Sequence, residues 1–342
     1  MYIAVDAMGT DNHPIADVAG AVLAANEFQI GIILVGDDSR VRQELSKHEG
    51  IAHLDIRVVH ASETITMNDK PSLVGKSKPM SSLHIGMNLV KSGEAAAFVS
   101  AGNTGAAHAI AMLYTLKRIE NVKRPALSVI FPIFDRPVTI IDAGANADSK
   151  PEWLAQFALM GSIYANKVLD IAQPRVGLLS NGEEEGKGNQ LILQAKTMIQ
   201  QMPLHYVGNV EPVDIMDGKV DVIVADGFIG NILIKTFEAS SRYLTKVIRA
   251  EITSSAISSV GGLLIKPAME RVRRRMDPSE IGGAPLLGVN GVVIISHGSS
   301  DSNAIKNAIR QAIKAADGHL IDTIREGLKQ VSFASVDEIE TQ

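Results

Sequence analysis

Short apolar runs rich in Val and Ile recur along the chain. Each ends in a Gly/Asn/Asp/Ser turn and is followed by a stretch with apolar residues at helical spacing. The alternation predicts strands at residues 2–5, 31–35, 56–59, 97–99, 126–131, 137–141, 175–179, 204–207, 220–224 and 289–295. Helices are predicted at 14–26, 41–47, 104–116, 153–168, 190–200, 231–252 and 303–331, with two more starting at 81 and 267. The punctuation agrees: Asp37, Asp38, Ser39, Ser81 and Ser82 are N-cap residue types, and Pro14, Pro151 and Pro267 suit a first helical turn. Strands alternating with helices imply an α/β fold with a largely parallel sheet in an α/β/α sandwich, ligands gathering beyond the carboxyl ends of the strands. Two stretches break the rhythm. Residues 60–79 are polar, with Lys70, Lys76, Lys78 and two prolines, and read as a long surface excursion. Serines and glycines at 254–262 surround apolar Val260, Leu263, Leu264 and Ile265, which read as the tip of a protruding helical arm over about 240–276. One catalytic domain over 1–332 is expected, followed by a flexible tail at 333–342.

The turns share a grammar: DAMGTD at 6–11, SAGNTGA at 100–106, DAGANAD at 142–148, SNGEEEGKGN at 180–189, ADGFIGN at 225–231 and SHGSSD at 296–301. A glycine-rich turn that runs into a helix points free amides at a ligand, and the helix start favours an anion. All six turns are expected on one edge of the sheet. The stretch at 97–107 is expected to be the centre of that edge.

Composition narrows the chemistry. The 342 residues are 46% hydrophobic, enough for a full core, and contain no cysteine, which removes thiolate nucleophiles and disulfides and is compatible with a reducing cytoplasm. A net charge of -5 and 4% aromatic residues argue against a nucleic-acid partner. The opening MYIAVDAMG lacks a basic leader, and no apolar stretch approaches the roughly 18 residues of a membrane span, so neither a signal peptide nor a spanning helix is expected. No compact metal-ligand spacing occurs, and the first βαβ unit lacks the G-x-G-x-x-G turn of a dinucleotide dehydrogenase.

In order along the chain, DAMGTD, SAGNTGA, RPAL at 124–127, DAGAN, GEEEGKG, DGFIGN and GGAPLLGVNGVVIISHGSS at 282–300 resemble the PlsX family of phosphate acyltransferases. Thr10 stands where the family repeats glycine, which questions close backbone contact there, and Ser180-Asn181 stand where Asn-Ile is usual. The resemblance implies an isopropylmalate-dehydrogenase or phosphotransacetylase-like fold, a homodimer, no cofactor, and a peripheral membrane role in phospholipid synthesis. Its reaction moves a long-chain acyl group from acyl carrier protein to inorganic phosphate, and a membrane glycerol-3-phosphate acyltransferase would use the acyl phosphate.

That reaction needs no protein nucleophile. It needs a positioned phosphate and donors for a developing oxyanion. Lys187, Asn103, Thr104 and His297 are the catalytic candidates, Lys187 as the cation on phosphate, which is expected between residues 102–105 and the Lys187 loop. Asp6, Gly9, Ser100, Gly102, Gly105, Asp142, Asn146, Asp226, Asn231 and His84 are candidates for lining the substrate site, although Asp142, Asn146, Asp226 and Asn231 equally suit helix caps. Lys266, Arg271, Arg274 and Arg275, with Arg273, form a basic helix that could dock an acidic carrier protein. Leu263 and Leu264 are candidates for membrane contact, with a dimer partner as the alternative cover. Two other functional readings stay open: a short-chain phosphotransacylase using coenzyme A, and a non-catalytic phosphate- or carrier-binding scaffold.

Overall fold

The computed structural model describes residues 1–133, 136–275 and 280–331. The N-terminal elements are β1 (Tyr2–Asp6), α1 (Ile15–Phe28), β2 (Gly31–Gly36), α2 (Asp38–Leu45), β3 (Ile56–His60), α3 (Pro71–Ser77), α4 (Ser82–Ser92), β4 (Ala97–Ser100) and α5 (Thr104–Leu113). Then come β5 (Ala126–Ile133), β6 (Arg136–Ile141), α6 (Pro151–Val168), β7 (Val176–Leu179), α7 (Gln190–Gln200), β8 (Tyr206–Val210), α8 (Pro212–Met216) and β9 (Val222–Val224). The chain continues through α9 (Gly227–Ile252), α10 (Ala256–Arg275), β10 (Ala284–Leu287), β11 (Val292–Ile295), α11 (Ser302–Asp317) and α12 (Leu320–Gln330). Asp37, Ser81 and Asn103 cap α2, α4 and α5 with their side chains. The apolar runs became strands because helices cover both sheet faces: every residue of β2 and β4 is buried, as is every residue of β7, β9 and β11.

Among the described residues these strands form one sheet in the order β3-β2-β1-β4-β11-β10-β5-β6-β9-β7-β8. It is largely parallel and mixed at its centre. β10 runs antiparallel to both β11 and β5, and β5 runs antiparallel to β6. Three successive reversals leave β6, β9, β7 and β8 pointing opposite to β1, β2, β3, β4 and β11. The expectation of one shared edge is therefore corrected. Turns after β1, β4 and β11 meet at one edge, here called upper, and turns after β6, β7 and β9 meet at the lower one.

Other expectations change locally. The excursion at 60–79 contains α3, whose Pro71 ring packs against Gly105. The terminal helix is two, broken where His319 adopts φ 50° after Gly318. The serine- and glycine-rich stretch is helical: α9 turns at 253–255 and α10 returns through both glycines, with Pro267 inside it rather than at its start. Leu263 and Leu264 thus lie on α10 about two turns past the hairpin bend. Ile234 is the last buried residue of α9, and Phe237 meets Phe131 edge to face; beyond that point the pair of helices is exposed. The tail expected at 333–342, the Phe134-Asp135 turn and Met276 lie outside the described residues.

Candidate active site

At the upper edge, hydrogen bonds lock the turns to one another. Asp6 accepts from Met8 N (3.0 Å) and Ser100 Oγ (2.7 Å), while Ser100 Oγ accepts from Gly102 N (3.0 Å). A Cβ on Gly9 would come within 2.9 Å of the amides of Ala101 and Gly102, so the two turns meet backbone to backbone at glycine. Thr10 fits because Asp17 lies behind it: Thr10 Oγ1 and N both donate to the Asp17 carboxylate, at 2.6 and 3.2 Å. Burial pushes Asp17 up to about 7, against those two bonds. Burial likewise raises Asp6 above the ordinary carboxylate range.

Asn103 is employed on both sides of its amide. Oδ1 accepts from Ala106 N (3.0 Å), capping α5, and Nδ2 donates to the carbonyls of Thr66 and Asp69, both at 3.1 Å. Its side chain thus holds the 66–69 turn as well as capping α5. Thr104 is exposed at the first position of α5, and Gly105 is half-covered by Pro71. His297 is exposed, its Nδ1 2.8 Å from Ser299 Oγ. His84, a candidate for lining the substrate site, is buried: Nδ1 lies 2.9 Å from Ser81 Oγ, the ring edge meets Tyr114, and burial lowers its pKa.

The lower edge is built differently. Asp142 Oδ1 accepts from the amides of Leu127, Gly144 and Ala145, and Oδ2 from Asn146 N and Nδ2. Five donors hold this carboxylate in place, while burial pushes its pKa upward. Asn146 Nδ2 also reaches Pro125 O at 2.8 Å, which ties the 142–146 turn to the start of β5. α9 starts directly against this turn: Gly227 N donates to Asn146 O (2.8 Å), and a Cβ on Gly230 would come within 1.9 Å of Asp142 O. Asp226 caps α9 by accepting from Phe228 and Ile229, both at 2.9 Å. Asn231, one turn on, faces Gly144 and makes no side-chain hydrogen bond among the described residues.

Lys187 lies in the turn after β7. Its Cγ and Cδ rest on Gly182, and Asn209 Nδ2 pins the turn by donating to Glu184 O and Lys187 O, each at 3.2 Å. Of its acidic neighbours, Glu183 pairs with Lys219 and Glu185 with Lys196, while the Glu184 carboxylate lies beside Gly182 with no ion pair among the described residues. Among the described residues Lys187 Nζ has neither an ion pair nor a hydrogen bond. The catalytic candidates accordingly divide: Lys187 stands at the lower edge, and Asn103, Thr104 and His297 stand at the upper one.

Sequence reasoning missed the feature beside the lower turns. A cavity of about 780 Å³ opens between the end of α5, the 117–124 loop and the start of α6, lined by Lys117, Arg118, Lys123, Arg124, Lys150 and Trp153 among others. The Arg124 guanidinium sits 5.1 Å from the Trp153 ring centre. The signal was present as four cations within eight residues, but Arg124 registered only as part of RPAL. On the arm, Lys266 and Arg271 are exposed; Arg274 and Arg275 follow on α10, and their side chains lie outside the description. No helix among the described residues is long and apolar enough to cross a membrane.

A family model described as a fatty acid synthesis protein matches residues 1–322. A phosphate acyltransferase of Geobacter sulfurreducens is 47% identical over 312 residues, 91% of this chain and 90% of that protein. One of Pelobacter propionicus is 47% identical over 336 residues, 98% and 96% of the two chains. The chain belongs to the PlsX family of phosphate acyltransferases. As a member of that family it is an acyltransferase. A phosphotransacetylase from Streptococcus pyogenes superposes with a TM-score of 0.60 at 19% identity, over 93% of this chain and 94% of that one. The EutD phosphotransacetylase from Staphylococcus aureus gives 0.59 at 16%, with the same coverage. The PlsX chain shares its fold with these transacylases.

Proposed function

We propose that the chain transfers a long-chain fatty acyl group from acyl carrier protein to inorganic phosphate, and that the acyl phosphate feeds phospholipid synthesis. The observation that carries this reading is Lys187, an unpaired cation in a glycine-flanked turn on the same edge as the unbonded amide of Asn231. Phosphate held there keeps its own nucleophilic oxygen. That oxygen attacks the thioester carbonyl carbon, a C–O bond forms, and the negative charge passes to the carbonyl oxygen. As the carbonyl re-forms, the C–S bond breaks and sulfur leaves with the bonding pair as a thiolate, which takes a proton from solvent. The protein contributes position and charge complementarity, which suffice for an anionic nucleophile and a good leaving group.

We propose further that the chain is a cytoplasmic homodimer working at the membrane surface, beside a membrane glycerol-3-phosphate acyltransferase that takes over the greasy product; the arm supports the membrane contact. Ile257 is 87% exposed and Leu264 79%, with Val260 and Leu263 between them, and Lys266 and Arg271 add attraction for anionic lipid. Leu263→Glu with Leu264→Glu should leave the dimer intact and abolish sedimentation with anionic liposomes; loss of the dimer would assign these leucines to assembly instead. The catalytic reading is tested by following acyl phosphate formation from long-chain acyl carrier protein and phosphate. Preference for short-chain acyl coenzyme A would replace it with a phosphotransacylase.

A further inference from the structure

Five cations line the lower cavity against two acids, Glu120 and Glu152. Among the described residues none of the five is ion-paired, although both acids share the lining. Unpaired like charges around one hollow raise its potential and attract an anion. The volume, about 780 Å³, suits a ligand much larger than phosphate. Met112, Leu113, Ile119 and Trp153 give the lining an apolar part as well, so the occupant carries an anionic group on an extended, partly apolar body.

Position adds a length. Arg124 precedes β5, and Lys187 follows β7, which is three strands away in the order β5-β6-β9-β7. At about 4.8 Å per strand the two lie roughly 14 Å apart along one edge. The 142–146 turn lies between them and touches Pro125.

We propose that this cavity seats the phosphate of the phosphopantetheine arm that carries the acyl thioester, so that the arm runs along the lower edge and delivers its carbonyl to Lys187 and Asn231. The inference rests on the function proposed above. It selects the arm, which carrier protein and coenzyme A share, and makes the basic face of α10 unnecessary for reading that phosphate.

Calorimetry with 4′-phosphopantetheine and with pantetheine, which lacks the phosphate, tests binding without turnover. Wild type should bind the phosphorylated arm at least tenfold more tightly, and Lys123→Glu with Lys150→Glu should erase that preference. Both positions are exposed, and an unchanged melting temperature verifies the fold. Equal wild-type affinity for the two probes, or a variant that keeps the preference, overturns the proposal. Kinetics separate the sources. In the variant KM should rise about tenfold for acyl carrier protein, and for acyl coenzyme A where it is turned over, with KM for phosphate unchanged. A rise confined to carrier protein, with the preference for 4′-phosphopantetheine intact, would mean that the cations read the protein surface. If wild type made no acyl phosphate from any thioester, the catalytic reading would fail, and the calorimetry would still decide the cavity.

Discussion

The two edges of the sheet share one sequence grammar and differ in what their side chains bond. After β1, β4 and β11 the glycine- and asparagine-rich turns are braced: Asp6, Ser100, Asn103 and the Thr10–Asp17 pair spend their polar atoms on neighbouring backbone and side chains. After β6, β7 and β9 the turns are held by Asp142 and Asn209, while among the described residues Lys187 and Asn231 keep their side-chain polar atoms unbonded. A strand-turn-helix motif therefore announces a place where backbone amides gather, and the partners of its side chains decide whether a ligand can use them. Charge divides less simply: buried carboxylates back the turns at both edges, Asp6 and Asp17 above and Asp142 below, and the lower edge adds a lysine with no ion pair among the described residues and a cation-lined cavity.

The largest expected effect tests the bracing. Asp17 is about 7 in the fold against an ordinary 3.8. The native state then binds this proton more tightly than the unfolded chain, so the stabilising contribution is full below about 4 and is lost as pH rises toward 7. The whole change corresponds to about 4 kcal/mol. Asp17→Asn can still bond Thr10 and should flatten the dependence, so that urea midpoints at pH 5 and pH 8 converge. An unchanged pH slope in the variant would take Asp17 out of the account.

Asn103→Ala removes a helix cap and two side-chain hydrogen bonds to the largely exposed 66–69 turn, and should cost about 2 kcal/mol of stability. If the upper edge is a brace, turnover per folded molecule should stay within about twofold at low temperature. Asn103→Asp sharpens the point, because it keeps the cap and loses the donors to residues 66 and 69. It should recover roughly half of the lost stability. A 100-fold loss of turnover in stably folded Asn103→Asp would return Asn103 to the reaction.

Much of this was legible in the chain. The strand-helix alternation, the Asp37 and Ser81 caps and the lower turns followed from period and turn chemistry. The two-edged architecture did not: the β5–β6 hairpin turns the second half of the sheet over, but how that half joins the first is set by β10, four residues inside a Gly/Pro-rich stretch that reads as loop. Its antiparallel pairing with β11 and β5 is a long-range choice that no local pattern records. Composition also misled along α10, where serines and glycines suggested a break. Packing against α9 holds the helix together there, with Gly262 against Ile252. The role of Asn103 was illegible for a similar reason: an N-cap signature says what Oδ1 does, and only tertiary structure shows that Nδ2 is taken by residues 66 and 69.

Lys187→Ala probes the other side of the comparison. The side chain is exposed and supports little besides Gly182, so stability should change by less than about 0.5 kcal/mol. Loss of a charge-assisted contact to a phosphate dianion should lower turnover or raise the phosphate requirement tenfold or more. Full activity at low phosphate would remove the lysine from the site. Lys187→Arg should restore part of the loss, since the charge returns with a different donor geometry.

The smallest effects are expected from Thr104→Ala and His297→Ala, and they discriminate most cleanly because neither change should disturb the fold. Thr104 begins α5 with an exposed side chain that makes no hydrogen bond among the described residues, and Asn103 already caps the helix. Among the described residues the His297 side chain bonds only Ser299, two residues on. With the reaction at the lower edge, both variants should keep kcat/KM for acyl carrier protein and for phosphate within twofold of wild type. Oxyanion donors and general acids removed by mutation typically cost two or three orders of magnitude, so the two locations give well-separated outcomes. A hundredfold loss in either variant, with the melting temperature unchanged, would place the chemistry at the upper edge. Lys187 could then act on it only across the sheet or from the second subunit of a dimer, and a mixed dimer carrying Thr104→Ala in one chain and Lys187→Ala in the other would distinguish those two arrangements by whether half of the activity survives.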